Sequence, residues 1–458
     1  MSNPGFLFRR RHPDYLKNES AYRHCAEAYS GGREYLEKTL IRHVSEIDVE
    51  FAERKRRAYY FNYPRNIADR ITQYALAVSP VRTGADPALV EDWSRTGQRT
   101  NEVMRRLSTM LTIYGTAWVQ VDAPCFSGPV TRSAAVQKKL RPYVRILSPL
   151  EVTDWAYGKD GKLEWALIRE SFYDNPDPFK EGEKVESLKL LRRGSWELYN
   201  FRHGECCEKI CGQLPGSELP LFQVSEPDCA NGKRGHWFED AVRISEAIFN
   251  NESESQMNMV KQMFGLLVVS ESFARGALPS NQEQHTSFAS TVARSAAVIE
   301  SVEEKGISRY ISPSGVPGSL LRHENEALKR ELFELAHLNV SSYSKDAQSA
   351  ESKAWDFRNA SCFLAARADL LEQSEQKALE LIHLFDSSIP VPQVVYNREF
   401  SVRELEKSIA SLLQLSTLDA GESFKQTLNK TAVEMLSAIS PLSEREKLAL
   451  AEEICPHK

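Results

Sequence analysis

The chain has 458 residues, which at the usual domain size is enough for about three structural units. Hydrophobic residues make up 41% and charged residues 26%, a composition that supports a sizeable core and argues against intrinsic disorder. Lys and Arg number 58 against 63 Asp and Glu, giving a formal net charge of −5. This mild acidity argues against a protein that coats nucleic acid with its whole surface, although it permits DNA to pass through a locally shaped channel.

The sequence also bears on the compartment. It contains no run of about 18 apolar residues, so a membrane-spanning helix is not expected. The first residues, MSNPGFLFRRRHPDY, carry an Arg cluster without an apolar segment after it, and no secretory signal is expected. Eight cysteines in so long a chain are typical of reduced thiols rather than of a disulfide scaffold. These features predict a soluble, intracellular, multidomain protein.

The N-terminal part of the chain has helical periodicity. Residues 1–80 are predicted to be helical, with charged and apolar residues at helical spacing. Asp86 and Pro87 are typical of the start of a further helix, and Thr100–Asn101 can cap the next one. The following stretch, TAWVQVD (116–122), alternates in the manner of a half-buried strand.

Between about residues 140 and 225 the pattern changes to that of a sheet. Short runs rich in apolar and β-branched residues are separated by Gly, Pro and Asp. Asp160-Gly161 is a usual two-residue hairpin turn. We therefore predict a small, mostly antiparallel sheet.

The C-terminal half returns to helical periodicity. Residues 236–264 predict one helix of about 30 residues, and its polar centre, Asn250 to Gln256, suggests a helix that bridges rather than lies in a core. Residues 266–315 are mixed, with an apolar strand (LLVVS), a turn region and an Ala-rich helix. A second helix is predicted at 318–338.

The strongest periodic element covers residues 349–386, a helix of roughly 55 Å. A mainly apolar stripe follows an unbroken 4-3 spacing: Phe357, Ser361, Leu364, Ala368, Leu371, Glu375, Ala378, Ile382 and Phe385. The stripe fits a long core helix, and a helix of this length also suggests packing between subunits. One strand (QVVYN) and a helical C-terminal region are predicted to follow.

Motifs of enzymatic chemistry are missing from the sequence. It contains no G-x-x-x-x-G-K-[ST] loop, no H-E-x-x-H pair, no G-x-S-x-G elbow and no G-x-G-x-x-G turn. Its many carboxylates lie near Lys and Arg on predicted helices, as on a solvated surface. We therefore predict a protein that is not an enzyme and needs no cofactor.

Two sets of residues allow more than one interpretation. A cluster of His203, Cys206, Cys207 and Cys211, followed by Cys229 and His236, has the density of a zinc site but lacks paired C-x-x-C spacing. Reduced thiols without metal are the preferred interpretation.

Basic residues form the second set. Lys345 lies in a small polar linker, NVSSYSKDAQSA (339–350), where its ammonium is either solvated or, in a pore, available to phosphate. The mixed region carries further bases whose role the sequence leaves open: Arg275, Arg294, Lys305 and Arg309.

The order of elements resembles the portal protein of tailed bacteriophages. A helical and β body leads into a long helix, a compact mixed insertion, a returning helix, a small polar loop and a very long helix. Five strings resemble blocks of that family: YLEKTLIRHVSEIDVEFAERKRRAYYFNYPRNIADRITQYALAVSPVR, SPLEVTDWAYGKDGKLEWALIRE, GISRYISPSG, QSAESKAWDFRNASCFLAARADLLEQSEQKALELI and VVYNREFSVRELEKSIASLLQLSTLDAGESFKQTLNK. One departure is Gln348-Ser349-Ala350, where many relatives carry a Ser-Gly pair before the long helix.

The resemblance implies an α+β, mainly helical, ring-forming architecture with wing, stem, clip and crown regions. The implied boundaries are these: wing 1–235, stem helix 236–265, clip 266–315, stem helix 316–338, tunnel loop 339–350, long wing helix and strand 351–395, and helical crown region 396–458.

The resemblance also implies a function. Portals form a ring, usually of twelve subunits, at one capsid vertex, and the ring is the channel for packaging and ejection of double-stranded DNA. The implied partners are other copies of the chain, the terminase large subunit, adaptor or head-completion proteins, the major capsid protein and scaffold, without a membrane. The implied location is the virion, and the host cytoplasm during assembly. Ser341, Ser342 and Lys345 would then face DNA in the tunnel loop, and the four clip bases would lie on a docking surface.

Two other functions fit parts of the sequence. One is a cytosolic helical oligomeric interaction protein, whose long helices would form a dimeric coiled coil. The other is a zinc-dependent DNA-processing enzyme built on the Cys/His cluster, which would bind stoichiometric metal.

Overall fold

The computed structural model describes most of the chain: residues 4–124, 141–175, 177, 179, 181–227, 229, 236–263, 266–270, 297–300, 309–311, 316–338, 350–398 and 400. Packing divides the chain into two units. The first unit comprises Met1–Tyr22, Ala68–His236 and Ser341–Lys458, and the second comprises Arg23–Ile67 and Trp237–Val340. Residues 23–67 are thus grouped with the helices beyond 236, whereas the resemblance implied a single region for residues 1–235.

The described residues form ten α-helices and thirteen strands, in agreement with the predicted α+β class. The helices are α1 (Pro4–Arg9), α2 (Pro13–Ser30), α3 (Arg33–Thr39), α4 (Asp48–Arg57), α5 (Tyr63–Ala75), α6 (Pro87–Glu91), α7 (Thr100–Tyr114), α8 (Trp237–Met263), α9 (Val316–Leu335) and α10 (Ala350–Phe385). The strands are β1 (Val81–Thr83), β2 (Thr116–Asp122), β3 (Tyr143–Leu147), β4 (Val152–Tyr157), β5 (Leu163–Asp174), β6 (Glu183–Arg192), β7 (Ser195–Arg202), β8 (Glu205–Gln213), β9 (Leu221–Ser225), β10 (Leu266–Ser270), β11 (Ala297–Glu300), β12 (Arg309–Ile311) and β13 (Gln393–Val395).

A five-stranded antiparallel sheet of the first unit, in the order β4-β5-β6-β7-β8, confirms the sheet predicted between about residues 140 and 225. Its last two hairpins close through two-residue turns. Arg193-Gly194 joins β6 to β7, and His203-Gly204 joins β7 to β8. In the second turn both residues have positive φ, 51° and 84°, the conformation that matches the twist of a tight hairpin.

The prediction of a two-residue turn at Asp160-Gly161 is wrong, because the loop is longer. Residues 158–162 separate Tyr157 from its partner Leu163, so five residues connect β4 to β5. The wider loop forms because the Gly158 N–H donates to the Lys162 carbonyl at 2.8 Å, and Asp160 Oδ1 accepts from the Lys162 N–H at 3.1 Å.

A second sheet of the first unit, in the order β3-β2-β9, lies within the core. The half-buried strand predicted at 116–122 is wrong in burial, because β2 is buried from Thr116 to Val121. Val119 joins the apolar cluster formed with α7 and α10, whereas Trp118 joins the cluster formed with β4, β5 and β6. Both faces of β2 are therefore covered.

Helix α10 confirms the interpretation of 349–386 as a long core helix. It has 36 residues, about 54 Å at the usual rise. Six positions of the predicted stripe are buried: Leu364, Ala368, Leu371, Glu375, Ala378 and Ile382. The stripe packs against α7, β2 and β13 of the same chain.

The second unit is layered around α8, which confirms the helix predicted at 236–264. One face of α8 carries Phe249, which packs with Leu36 of α3. It also packs with Leu40 and Ala58, the residues that follow α3 and α4. The opposite face packs along α9, which confirms the helix predicted at 318–338. Helix α8 therefore lies between α3–α4 on one side and α9 on the other.

Candidate functional site

Helices α8 and α9 are connected through one pair of strands. Strand β10, which confirms the predicted strand LLVVS, follows α8 and pairs antiparallel with β12, with Leu266 opposite Ile311. Helix α9 begins shortly after β12, and β11 adds to the other edge of β10 in parallel. The chain thus leaves one long helix and enters the next through neighbouring strands. We refer to α8, β10–β12 and α9 as the helix–sheet–helix module.

Polar contacts hold the two helices of this module together. Asn251 Nδ2 donates to Asn325 Oδ1 at 3.0 Å, and Lys329 Nζ donates to Glu252 Oε1 at 3.2 Å. Asn325 is only 3% exposed, so its contact lies inside the pair. Of the polar centre of α8, Asn250 to Gln256, only Ser253 is buried, and its polar side chains bond to neighbours on two faces, which agrees with the prediction of a helix that bridges rather than lies in a core.

The other face of α8 receives a buried cation from α4. The Arg54 guanidinium, 2% exposed, donates from Nε and Nη2 to the two carboxylate oxygens of Glu46 at 2.8 and 2.7 Å. Its Nη1 donates to Ser253 Oγ at 3.0 Å, and Nη2 also donates to the Ile41 carbonyl at 2.7 Å. Hydrogen bonding by Arg54 lowers the pKa of Glu46. The loop before α4 is thereby fixed to α8.

A half-buried cluster around Glu246 joins α2, α3 and α8 in the second unit. Tyr35 Oη donates to Glu246 Oε1 at 2.5 Å, and His24 Nε2 lies 3.1 Å from the same oxygen. The contact with Glu246 raises the pKa of His24. Burial raises the pKa of Tyr60 and that of the Cys25 thiol, each to about 12. Cys25 is therefore a protonated, unreactive thiol at neutral pH.

In the first unit, α10 carries a completely buried cation. Arg367 is paired with Glu226, and its Nη1 also donates to the Ser108 carbonyl at 2.7 Å and to Thr112 Oγ1 at 3.0 Å. Burial lowers the pKa of Arg367, and Glu226 opposes that shift. Next to this pair, His236 Nε2 lies 2.6 Å from the Thr112 carbonyl. These donors and acceptors satisfy one another, so the network holds elements together.

A second buried ion pair anchors β1 and the chain after β13 to α10. Arg82 Nε donates to Glu375 Oε1 at 2.5 Å, and Tyr396 Oη donates to Glu375 Oε2 at 2.6 Å. Burial raises the pKa of Tyr396 well above its ordinary value. Both Glu375 oxygens are therefore taken up by partners from the same unit, as in a structural contact.

Sequence reasoning missed Arg54 and Arg367. Arg54 stands in the basic run ERKRR, where nothing in the sequence distinguishes the one buried arginine from the exposed Arg56 and Arg57. Arg367 follows the stripe residue Leu364 by three positions, so it lies on the edge of the predicted core face. That spacing was a usable signal for a buried cation.

Most of the residues predicted to contact DNA or partners lie outside the described part of the chain. These are Ser341, Ser342 and Lys345 of the tunnel loop, and Arg275, Arg294 and Lys305 of the clip. The predicted Ala-rich helix and the predicted crown beyond 400 also lie outside it. Arg309 begins β12, with its Cα opposite that of Val268 in β10.

The Cys/His cluster lies on one hairpin of the five-stranded sheet. His203 is in the turn, and Cys206, Cys207 and Cys211 are exposed along the edge strand β8. Cys207 Sγ lies 3.1 Å from the Asn200 carbonyl. Within the part of the chain that the structure describes, no group of three or more His, Cys, Asp and Glu side chains is placed to hold a metal ion. The described helices include none long and apolar enough to span a membrane.

The chain has no match among protein-family models or curated proteins. Among solved structures it is similar to chains of gene transfer agent particles. The neck of an empty particle, computed with C6 symmetry, matches at 13% identity and a TM-score of 0.41, covering 84% of this chain and 88% of that chain. The neck of a native particle, computed with C12 symmetry, matches at 13% identity and a TM-score of 0.44, covering 79% and 88%. The virion of the native particle matches at 14% identity and a TM-score of 0.43, also covering 79% and 88%. Similarity at this level establishes neither a family nor a function.

Proposed function

We propose that the chain is a portal subunit, a structural protein that assembles into a twelve-membered ring at one vertex of a viral capsid. The observation that carries the proposal is the helix–sheet–helix module of the second unit, followed in sequence by the 36-residue α10. This is the element order on which the resemblance to portal proteins rests. The strand pair brings the chain back from α8 to α9, as a stem and clip require.

The module has the properties of a supporting column. Helix α8 has 27 residues, about 40 Å at the usual rise, and polar contacts fix α9 along it. Directional hydrogen bonds set the register of two helices more strictly than apolar packing does. A column of fixed register is suited to a ring in which every copy must present the same surface to a channel.

Charge supports a channel along which DNA slides. At −5 per chain, a ring of twelve would carry −60. Tight DNA binding requires many Lys and Arg to neutralise phosphates, so a mildly acidic ring holds DNA weakly. In the proposal Ser341, Ser342 and Lys345 provide sparse inner contacts with the double-stranded DNA.

The remaining partners follow from the same role. The clip, with Arg275, Arg294, Lys305 and Arg309, would dock the terminase large subunit during packaging and the adaptor or head-completion protein afterwards. The major capsid protein and scaffold would contact the ring in the host cytoplasm during assembly. The ring itself would perform no catalysis and would need no cofactor, because terminase hydrolyses the ATP.

The two other functions have less support. A coiled-coil dimer would require the stripe of α10 to face a partner, whereas Leu371 and Ile382 are fully buried within their own unit. A zinc enzyme would require converging ligands, whereas His203 and three cysteines are spread along an exposed hairpin edge.

The first experiment is single-particle electron microscopy of the purified full chain, with a mass measurement on the same sample. We expect a ring of about a dozen copies with a central hole. A homogeneous monomer or dimer at every concentration would contradict the proposal.

A second experiment tests the tunnel contact in a packaging assay. Lys345→Ala should change the rate or yield of DNA packaging. Lys345→Arg should package DNA as the wild type does, because the contact requires only a positive charge. Lys159→Ala, at an exposed lysine of the β4–β5 loop, is the matched control. Unchanged packaging with Lys345→Ala would remove this residue from the proposed channel.

A further inference from the structure

We propose that Cys229 is a nucleophilic thiol, activated by His236, that hydroperoxides oxidise to a sulfenic acid. Both residues lie in the connection between β9 and α8, and both belong to the first unit. The inference concerns a chemical modification and goes beyond the proposed function, whose assembly experiment does not bear on it.

The surroundings of His236 determine which of its ring nitrogens carries the proton. Its Nε2 lies 2.6 Å from the Thr112 carbonyl oxygen, which can only accept a hydrogen bond. Nε2 therefore carries a hydrogen, and in the neutral ring Nδ1 is left as the acceptor. The imidazole is thus held with Nδ1 as its basic atom.

His236 Nδ1 faces a thiol and a carboxylate. Cys229 Sγ lies 3.7 Å from Nδ1, within hydrogen-bonding distance for sulfur, and Glu226 Oε2 lies 3.6 Å from the same nitrogen. An ionised carboxylate has no proton to donate, so the thiol is the group that donates to Nδ1. A nucleophile, a base in contact with it and a third group that orients the base form the arrangement that activates a cysteine.

The surroundings also stabilise the charges that form when the thiol loses its proton. Glu226 is paired with Arg367 through Oε1, so Oε2 can face an imidazolium while Arg367 limits the repulsion between the carboxylate and a thiolate. The Thr112 carbonyl belongs to the last turn of α7, where the helix dipole favours a positive charge. An imidazolium next to Cys229 in turn favours the thiolate, which is the nucleophilic form.

A glycine provides the space in which the thiol and the imidazole meet. Gly115 follows α7 with a φ of 69°, and a Cβ built on it would overlap the Cys229 sulfur and lie 3.0 Å from His236 Nδ1. The left-handed conformation favours glycine here, and the close approach adds a second reason. Since the thiol is half-buried in this space, a small, uncharged oxidant such as hydrogen peroxide suits it best.

The oxidation balances in atoms and electrons. The thiol proton moves to His236 Nδ1, and the Cys229 thiolate attacks one oxygen of hydrogen peroxide. An S–O bond forms as the O–O bond breaks, and the leaving hydroxide takes the proton from Nδ1 to become water. The sulfur loses the pair of electrons that the peroxide gains, and the product is a sulfenic acid.

Other thiols of the same chain provide the reference for the test. Cys206, Cys207, Cys211 and Cys362 are more exposed than Cys229, so exposure alone predicts that they react faster. The folded full-length chain is treated with hydrogen peroxide at neutral pH, sulfenic acid is trapped with dimedone, and each cysteine is quantified by mass spectrometry. We expect Cys229 to be tagged about tenfold faster than these four thiols. A rate at or below theirs would overturn the proposal.

A substitution separates the role of the base from that of local packing. His236→Gln keeps an N–H for the Thr112 carbonyl but has no nitrogen that accepts a proton. It should slow the reaction of Cys229 about tenfold at neutral pH, and the difference should shrink above about pH 8.5, where the thiol ionises without a base. A loss by the same factor at every pH, as altered packing would give, would overturn the role assigned to His236, and so would an unchanged rate.

His323→Gln, at an exposed histidine of α9, is the matched control and should leave the rate at Cys229 unchanged. If circular dichroism shows that His236→Gln does not fold, the pH profile of the wild type decides. An activated thiol keeps its rate at neutral pH, whereas the rate of an ordinary thiol falls about tenfold for each pH unit below about 8.5, which would overturn the proposal.

Alkylation by iodoacetamide separates the nucleophile from its reactant. Cys229 should be alkylated faster than the four exposed thiols and should also give the dimedone adduct after peroxide treatment. Fast alkylation without the adduct would overturn hydroperoxides as the reactant, because the thiolate would then be present but not oxidised to a sulfenic acid.

Discussion

Two long helices of this chain are held by their neighbours through different kinds of interaction. Helix α10 of the first unit buries an apolar stripe, in which Leu371, Ala378 and Ile382 have no exposed surface. Helix α8 of the second unit has a polar middle, where Asn251 and Ser253 bond to neighbours on opposite faces. Burial of apolar surface provides most of the stabilisation of a helix, whereas directional polar contacts specify which neighbour it meets and in which register. We therefore expect the first unit to depend on volume and the second on specific partners.

The largest expected effect is the loss of the carboxylate that faces Arg367. Glu226→Ala leaves a fully buried guanidinium without its counter-charge, and such a change costs about 3–5 kcal/mol. Native-state hydrogen exchange should show the loss at amides of α10 while those of α8 and α9 keep their protection. This variant would show that the first unit also depends on one specific contact.

The control for this variant replaces both charges by apolar groups. Glu226→Leu combined with Arg367→Met should recover most of the lost stability, because buried ion pairs are often no better than apolar packing of similar volume. A loss below about 1 kcal/mol for Glu226→Ala would mean that water reaches Arg367, contrary to its burial.

A matched pair of leucines tests the two units directly. Leu371 in α10 and Leu332 in α9 are both fully buried. Truncation of a buried leucine to alanine costs about 2–5 kcal/mol, depending on how well the site collapses. Leu371 belongs to a large cluster with α7 and β2, so Leu371→Ala should fall near the upper end of that range. Leu332 lies between two helices with polar contacts, so Leu332→Ala should fall near the lower end.

Denaturant unfolding, followed by probes in each unit, measures this difference. Equal losses at the two leucines would mean that α8 and α9 pack as tightly as the core around α10. The contrast between the two units would then be one of composition only.

A smaller effect is expected at the asparagine pair of the second unit. Asn325→Leu removes the acceptor for Asn251 and leaves a partly buried amide without this partner, at a cost of about 1–2 kcal/mol. Adding Asn251→Leu should return much of that stability but weaken the register of α8 on α9. Disulfide trapping between introduced cysteine pairs, in the native register and one helical turn away, would detect the slippage. Trapping in the native register alone would contradict the role assigned to the pair.

The comparison also explains which features could be predicted from the sequence. Helices α8, α9 and α10 were predicted within a few residues, because their spacing repeats over many turns. The complete burial of β2 was not predicted. The alternation of TAWVQVD does not reveal that a second layer covers its polar positions, such as Gln120. Local pattern predicts an element, and tertiary packing decides how deeply it is buried.

Turns and buried charges were harder to predict for the same reason. Asp160-Gly161 fits a two-residue turn, but the hydrogen bond between Gly158 and Lys162 selects a longer loop. Arg54 became a structural residue only through Glu46 and Ser253, which are 8 and 199 positions away in sequence. Contacts of that range leave no mark in local composition.

The smallest expected effect is a pH dependence confined to the second unit. The pKa of His24 is raised by Glu246, with Glu27 and Glu239 adding to the shift, and the pKa of Glu246 is lowered by His24 and Tyr35. A histidine with a raised pKa stabilises the fold fully below its ordinary pKa of 6.5, and this contribution is lost as the pH rises through the folded value. The lowered pKa of Glu246 acts in the opposite direction, and its contribution is lost on acidification. The contact is therefore complete between the ordinary pKa of a glutamate, 4.5, and that of a histidine, 6.5, and it weakens as the pH rises above 6.5 through the raised pKa of His24. Because the His24 side chain is 38% exposed, solvent screening limits the change in stability to about 0.5 kcal/mol.

Thermal unfolding, measured from below pH 6.5 to well above it, tests this dependence. The unfolding temperature should decline in the wild type and in His323→Gln, a substitution of an exposed histidine of α9, and should stay constant in His24→Gln. A decline that survives His24→Gln would assign the pH dependence to another group and leave Glu246 held by Tyr35 alone.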